Sequence, residues 1–260
     1  MIRLLSNCPA DRRLMEQLGG REVRDSFPAL RIRALWRAYA DYLGTGGPGT
    51  EFPEFYANET GEIALCKEGN FAVLFCADTA HAGEAEGFLP LIADEVLADL
   101  PLSLPGYKAS SGGIYAMEQP RGELLRGVTE EIGAAYEILR SVFPDGINEQ
   151  NRMQWHADLS HRIRHGMSRV FTLDGSCTGT LYFTEEGQLA LSQLATLPSA
   201  RGQGLARRMI GHIAAAVRAD GQAFERMILM SQNAASDGFY EHIGFRRIGS
   251  YTIYERQNRP

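Results

Sequence analysis

In the stretch LATLPSARGQGLARRMIGHIAAAV, Leu194–Val217, an apolar run stops at Pro198, passes through Gly202 and Gly204, and continues at once as an amphipathic helix. One glycine would be enough for a turn. Each additional glycine at a helix entry gives up roughly 0.5 to 1 kcal/mol relative to alanine, so two of them beside Arg201 need a reason. A helix begins with four backbone N–H groups that have no internal partner, and its dipole makes that end partly positive. A bulky diphosphate can use those groups only where side chains do not block the backbone, which Gly202, Gly204 and the small Ala206 allow. Arg201–Ala206 therefore reads as a diphosphate cradle, and on this stretch alone an ordinary helix-start loop is the competing reading.

The surrounding pattern places the loop. A helix is expected over Val128–Val142, capped by Thr129, and a second over about Glu149–His165. Three strands follow, SRVFTLD, CTGTLYFTE and QLALSQLATL, with turns at Asp174-Gly175 and Glu186-Gly187. Then come a helix over Gly202–Ala219, the strand ERMILMS, a helix over Ala234–His242 and a last strand FRRIGSYTIYE. This order predicts a mixed α/β sheet, not an alternating doubly wound one.

Arg201-Gly202-Gln203-Gly204-Leu205-Ala206 fits R-x-x-G-x-A, and the later NAASDGFYEHIGF supplies Asn233, Tyr240 and Gly244-Phe245. With both elements in place, residues Val128 to Tyr254 resemble the GCN5-related N-acetyltransferase (GNAT) family, most strongly in the last 65 residues. The resemblance implies an α/β (α+β) fold with a mixed, mostly antiparallel sheet flanked by helices. It also implies acetyl-CoA as co-substrate. Backbone N–H groups around Gln203, Gly204, Leu205 and Ala206 would hold the pyrophosphate, with Arg201 shaping the loop at Gly202. The strand backbone at Leu194, Ala195 and Thr196 would pair with pantetheine amides. Arg207 and Arg208 lie where a guanidinium meets the ribose phosphate or where a helix is simply solvated. Asn233 would contact the cofactor arm, cap the next helix, or do both. Tyr240 falls where many family members carry the hydroxyl that protonates the departing thiolate; plain core packing is the other reading.

The general base is not evident. The strand position that carries a glutamate in some relatives falls near Ala190, Ser192 and Gln193 are weak bases, and Glu185 and Glu186 are expected to face solvent at a turn, so deprotonation through water is expected. Cys177 has no histidine beside it in sequence and is disfavoured as an acyl carrier. His161 and His165 share a helix face but have no third ligand, and His156 lies off that stripe, so no metal is predicted.

The first half, residues 1–127, reads as helices over Asp11–Leu18 and Ala29–Leu43, the linker GTGGPGT, strand material in FPEFYANE, GEIALCKEG and NFAVLFCAD, a helix over Ala82–Leu100, and a strand GIYAMEQP. It has no R-x-x-G-x-A loop and no Asn-Tyr-Gly-Phe series. It is expected to be either a degenerate GNAT-like copy or another α/β domain, on the substrate side, with residues 128–260 as the acetyl-CoA-binding catalytic domain.

Composition bounds the partners. The chain has 260 residues, 44% apolar, with a formal net charge of −6, which argues against general nucleic-acid binding. The acidic excess lies wholly in residues 1–127, where 18 acidic side chains face 12 basic ones. It reads as a solvated surface or as an acidic wall that attracts a cationic substrate. Cys8, Cys66, Cys76 and Cys177 form no CxxC pair and read as reduced, cytoplasmic thiols. No apolar run reaches membrane-spanning length and no signal-peptide core is evident. The leading reading is direct transfer of acetyl from acetyl-CoA to a primary amine of a small molecule. A non-catalytic acyl-CoA sensor or scaffold is the alternative, favoured by the missing strand carboxylate, whereas Tyr240 favours catalysis. Neither the amine nor the oligomeric state is encoded legibly.

Overall fold

The structure, a computed structural model, describes residues 1–18, 26–43 and 52–257. The GTGGPGT stretch, residues 44–50, lies outside them. Packing divides the chain into two units: Met1–Ile114 with Ser231–Asp237 and Arg247–Pro260, and Tyr115–Met230 with Gly238–Arg246. The division falls elsewhere than a cut at 127/128. Residues 115–127 go with the second unit, and two C-terminal segments complete the first.

The first unit contains β1 (Arg3–Leu4), α1 (Pro9–Gln17), α2 (Phe27–Tyr39), β2 (Glu54–Ala57), β3 (Ile63–Glu68), β4 (Phe71–Cys76), α3 (Ala82–Ile92) and β5 (Glu95–Ala98). β6 (Tyr107–Glu118) begins in it. Strand order runs β1-β2-β3-β4-β5, continuing with a C-terminal strand, β12 (Arg246–Arg256). α2 starts with a serine cap, Ser26 Oγ accepting from the Ala29 N–H at 3.3 Å, and buries almost every residue to Tyr39. On it, Trp36 meets Phe55 of β2 edge to face, centroids 5.2 Å apart. Ile63, Leu65, Leu74, Leu89, Val96 and Tyr254 build an apolar core with α3.

The expected helix over Ala82–Leu100 stops at Ile92, and Glu95–Ala98 is a strand instead. Phe88, Leu91, Ile92, Val96 and Leu97 fit a helical period, but Val96, Leu97 and Ala98 are all buried in the sheet, where a short continuous apolar run suits either element. β5 pairs in parallel with β4, Phe71↔Glu95 to Leu74↔Ala98, and antiparallel with β12.

The second unit contains β7 (Val128–Thr129), α4 (Ile132–Val142), α5 (Arg152–Arg164), β8 (Arg169–Leu173), β9 (Cys177–Glu185), β10 (Gln188–Thr196), α6 (Leu205–Ala219), β11 (Arg226–Ser231, its last residue in the first unit) and most of α7 (Ala234–His242). Its order is β11-β10-β9-β8-β7. Val128 and Thr129 form a short strand, not the start of a helix, because each pairs with β8; Glu131 takes the cap position of α4. Apolar clusters on its helices hold this unit together. α6 packs Met209, Ile210, Ile213 and Val217 against Phe171, Leu181, Leu189 and Leu191. α4 and α5 pack Ala135, Leu159 and Trp155 against Val170.

The element order strand, two helices, three antiparallel strands, helix, parallel strand occurs in both units. They differ at the third strand. β4 pairs with β3 in unbroken register, whereas the β9–β10 ladder slips between Ala190 and Leu191 and again between Ser192 and Ala195. Gln193 sits at the second slip with φ +51°, the signature of a bulge that re-aims a strand. At the first slip, the Tyr182 carbonyl accepts from Ser168 Oγ at 2.6 Å.

Candidate active site

β10 begins beside β11 and then leaves it. Only Gln188, Leu189 and Ala190 pair with Arg226, Met227 and Ile228. Among the described residues, the edge of β10 beyond Ala190 that faces away from β9 has no strand partner, so Leu194, Ala195 and Thr196 lie on an open edge. Such an edge can accept an extended, amide-bearing molecule as an added strand. The Thr196 carbonyl accepts from Arg201 Nε at 3.3 Å, which ties the strand end to the loop.

The loop folds as a short turn at Pro198–Ala200 followed by Gly202 at φ +77° and Gly204 at φ +70°. A methyl group added at either glycine would meet no protein atom within 4 Å. Internal packing therefore does not require glycine there; the left-handed backbone does, and so does any group approaching from outside. Gly204 is the cap residue of α6 and has no side chain to offer. The first helical bond in the chain direction is Arg208 N–H to the Gly204 carbonyl, 3.1 Å, so the N–H groups of Leu205, Ala206 and Arg207 precede the helix's own acceptors. Arg201, Gln203, Arg207 and Arg208 are exposed. The open glycine cradle, the uncapped N–H groups and the arginines fit a diphosphate.

The matching strand-to-helix junction of the first unit is filled from within. Asp78 Oδ1 accepts from the N–H groups of Ala80 and His81, at 2.9 and 3.2 Å, just before α3. His81 Nδ1 lies 2.8 Å from the same carboxylate, which holds Asp78 below its ordinary range.

Tyr240 is half-buried on α7, its ring edge-on to Phe245 at 5.6 Å and near Phe239 and Tyr115 at 5.3 and 6.3 Å. Burial alone pushes its hydroxyl up to about 12. Asn233, in the segment grouped with the first unit, caps α7: its Oδ1 accepts from the Ser236 N–H at 2.8 Å. That use leaves the amide N–H₂ unspent.

For the base, Ala190 is fully buried, and Gln193 Oε1 accepts from Thr180 Oγ1 at 3.2 Å. Glu185 corrects the expectation of a solvent-facing pair at the turn. It is only 1% exposed, because it ends β9 opposite buried Gln188; Glu186, at φ +48°, is exposed as expected. Both stand at the far end of β10 from the cradle. Cys177 is buried, accepts from Thr196 Oγ1 at 3.4 Å, and its thiol is pushed up by burial, which suits packing and not nucleophilic attack. Among the described residues no group of three or more His, Cys, Asp or Glu side chains is arranged to hold a metal ion, and no helix is long and apolar enough to cross a membrane.

The sequence left three features unmarked: the bulge at Gln193, the burial of Glu185, and the contacts of His156 and Tyr136 described below. Each depends on what packs alongside.

Residues 132–245 match the family model described as "Acetyltransferase (GNAT) family". No curated protein sequence matches the chain. Among solved structures it is similar to a tandem GNAT protein from the clavulanic acid biosynthesis pathway, at 10% identity over 100% of this chain and 99% of that one, TM-score 0.57. It is also similar to a GNAT-family acetyltransferase from Colwellia psychrerythraea, at 13% identity, 99% and 100% coverage and TM-score 0.55. A GCN5-related N-acetyltransferase from Kribbella flavida shares 16% identity over 91% and 96% of the chains, TM-score 0.53.

Proposed function

Because the chain carries an acetyltransferase domain of the GNAT family at residues 132–245, we propose that it transfers acetyl from acetyl-CoA directly to a primary amine of a small molecule. We place the cofactor site in residues 128–260 and assign none to residues 1–127. The observation that carries the reading is the uncapped start of α6, with two left-handed glycines and an adjoining open edge on β10.

Bound acetyl-CoA supplies an activated thioester. The N–H groups of Gln203, Gly204, Leu205 and Ala206 bind the pyrophosphate, Arg201 holds Gly202 and the loop against Thr196, and Arg207 meets phosphate at the rim. Leu194, Ala195 and Thr196 offer strand backbone to the pantetheine amides, and Asn233 offers its amide N–H₂ to the same arm. Tyr240 keeps its proton at neutral pH and donates it toward sulfur as negative charge develops there. In the first unit Asp78 occupies the Ala80 and His81 N–H groups just before α3, and its negative charge repels a second diphosphate.

Thiol release from acetyl-CoA, followed with and without a panel of primary amines, tests this reading. Amine-dependent release with matching acetylated product is the expected result. Tight acetyl-CoA binding with no release in the presence of any amine would favour a sensor or scaffold instead.

A further inference from the structure

Two polar atoms of the second unit lie buried without a hydrogen-bond partner on neighbouring rings tilted 46° to each other: Tyr136 Oη on α4 and His156 Nε2 on α5. The ring centroids are 5.5 Å apart, and Tyr136 is 0% exposed. Buried polar groups are nearly always paired, because an unpaired one loses its hydration and gains nothing. Two on adjacent rings mark a place where an outside polar group can complete them. Trp155 connects this place to the cofactor strand. Its ring lies 5.6 Å from Tyr136 and 5.3 Å from His156, and it packs in one apolar cluster with Ala195 and Leu197 at the open end of β10.

Resting on the acetyl-transfer reading above, we infer that Tyr136 Oη and His156 Nε2 hold the nucleophilic nitrogen of the acceptor, and that His156 is the general base missing from β10. The nitrogen lone pair attacks the acetyl carbonyl carbon, forming C–N, and the C–S bond breaks with its electron pair going to sulfur. The proton lost by nitrogen passes to His156 Nε2, and Tyr240 supplies the proton that sulfur takes up. Nε2 must then be the bare nitrogen of a neutral imidazole, with the ring proton on Nδ1. Around Tyr136 stand Arg152, whose guanidinium lies 5.0 Å over its ring, and Glu149, Glu137 and Arg140.

The test uses the full chain and acetyl-CoA, with water as one acceptor and 1,4-diaminobutane, phenethylamine, glucosamine and glycine as others. With water as the acceptor, hydrolysis reports the enzyme's own groups. His156→Gln should lower hydrolysis on the order of 10²-fold or more, with acetyl-CoA affinity within about twofold of wild type. His156→Asn, which also lacks Nε2, should behave alike and stands in if the glutamine variant loses its melting transition. Tyr136→Phe should raise the KM of whichever amine reacts. A His156 variant that hydrolyses near the wild-type rate or loses acetyl-CoA affinity would overturn the inference. A wild-type chain that releases no thiol with water or any amine would instead overturn the acetyl-transfer reading, and the inference with it.

Discussion

Tyr240 carries two roles that one substitution can separate. Its ring belongs to an aromatic group with Phe239, Phe245 and Tyr115, while its hydroxyl is the proton donor proposed above. Tyr240→Phe keeps the ring packing and removes the proton. A fall in kcat on the order of 10²- to 10⁴-fold is expected, with acetyl-CoA affinity nearly unchanged in a binding titration. Since burial raises the hydroxyl to about 12, it stays protonated throughout the neutral range. A falling limb in the wild-type pH–rate profile between pH 8 and 10 would therefore not belong to Tyr240, and should persist in the phenylalanine variant. At this scale the sequence was informative where backbone conformation dictates the residue. Gly202 and Gly204 could be read because their left-handed angles admit few alternatives. Glu185 could not, because a carboxylate at a hairpin end is exposed or buried according to what covers it, and nothing in its neighbours' identities states that.

Helix α6 is held by a strap as well as by its core. Residues 119–127 cross it with Arg218 Nη1 donating to the Pro120 carbonyl at 2.8 Å, and the Leu125 N–H donating to His212 Nδ1 at 2.9 Å. Between these contacts Gly122 lies directly on Gly211. A methyl group at position 122 would fall 2.1 to 2.2 Å from the Gly211 backbone, so Gly122→Ala should destabilise the chain by about 1–3 kcal/mol or more in denaturant unfolding. Burial and nearby Arg169 lower the His212 pKa, with Glu130 opposing. The folded state thus binds the His212 proton less readily than the unfolded state. Its contribution to stability is present above the ordinary histidine value, about 6.5, and is lost as pH falls through the depressed one. The melting temperature of wild type should drop further between pH 7.5 and pH 5 than that of His212→Asn, whose Oδ1 can accept from Leu125 at either pH. Equal drops would show that the latch does not titrate. Elements were legible where period and boundary signals agreed: CTGTLYFTE became β9 residue for residue, and Ala234–His242 became α7. β5 was hidden because Val96, Leu97 and Ala98 form an apolar run whose partners, β4 and β12, are remote in sequence. The bulge at Gln193 has no glycine to announce it.

At the scale of the whole chain, the repeated element order gives two units of the same plan with different junctions. One has a straight third strand and an aspartate on its helix-entry N–H groups; the other has a bulged, partly unpaired strand and an uncapped glycine entry. The family resemblance could be read from residues Arg201–Ala206 and Asn233–Phe245. The exchange of segments between the units could not, since it depends on strand partners about 150 residues apart, such as Tyr254 with Val96. For the same reason, cutting the chain at 127/128 would divide both units, so the number and place of cofactor sites must be measured on the intact protein. Isothermal titration of the full chain with acetyl-CoA tests the central claim most directly. The account predicts one site per chain, abolished by Gly204→Glu, which puts bulk and negative charge where the backbone should meet pyrophosphate, while the melting temperature holds. Two sites per chain, or undiminished binding by a folded Gly204→Glu variant, would contradict it.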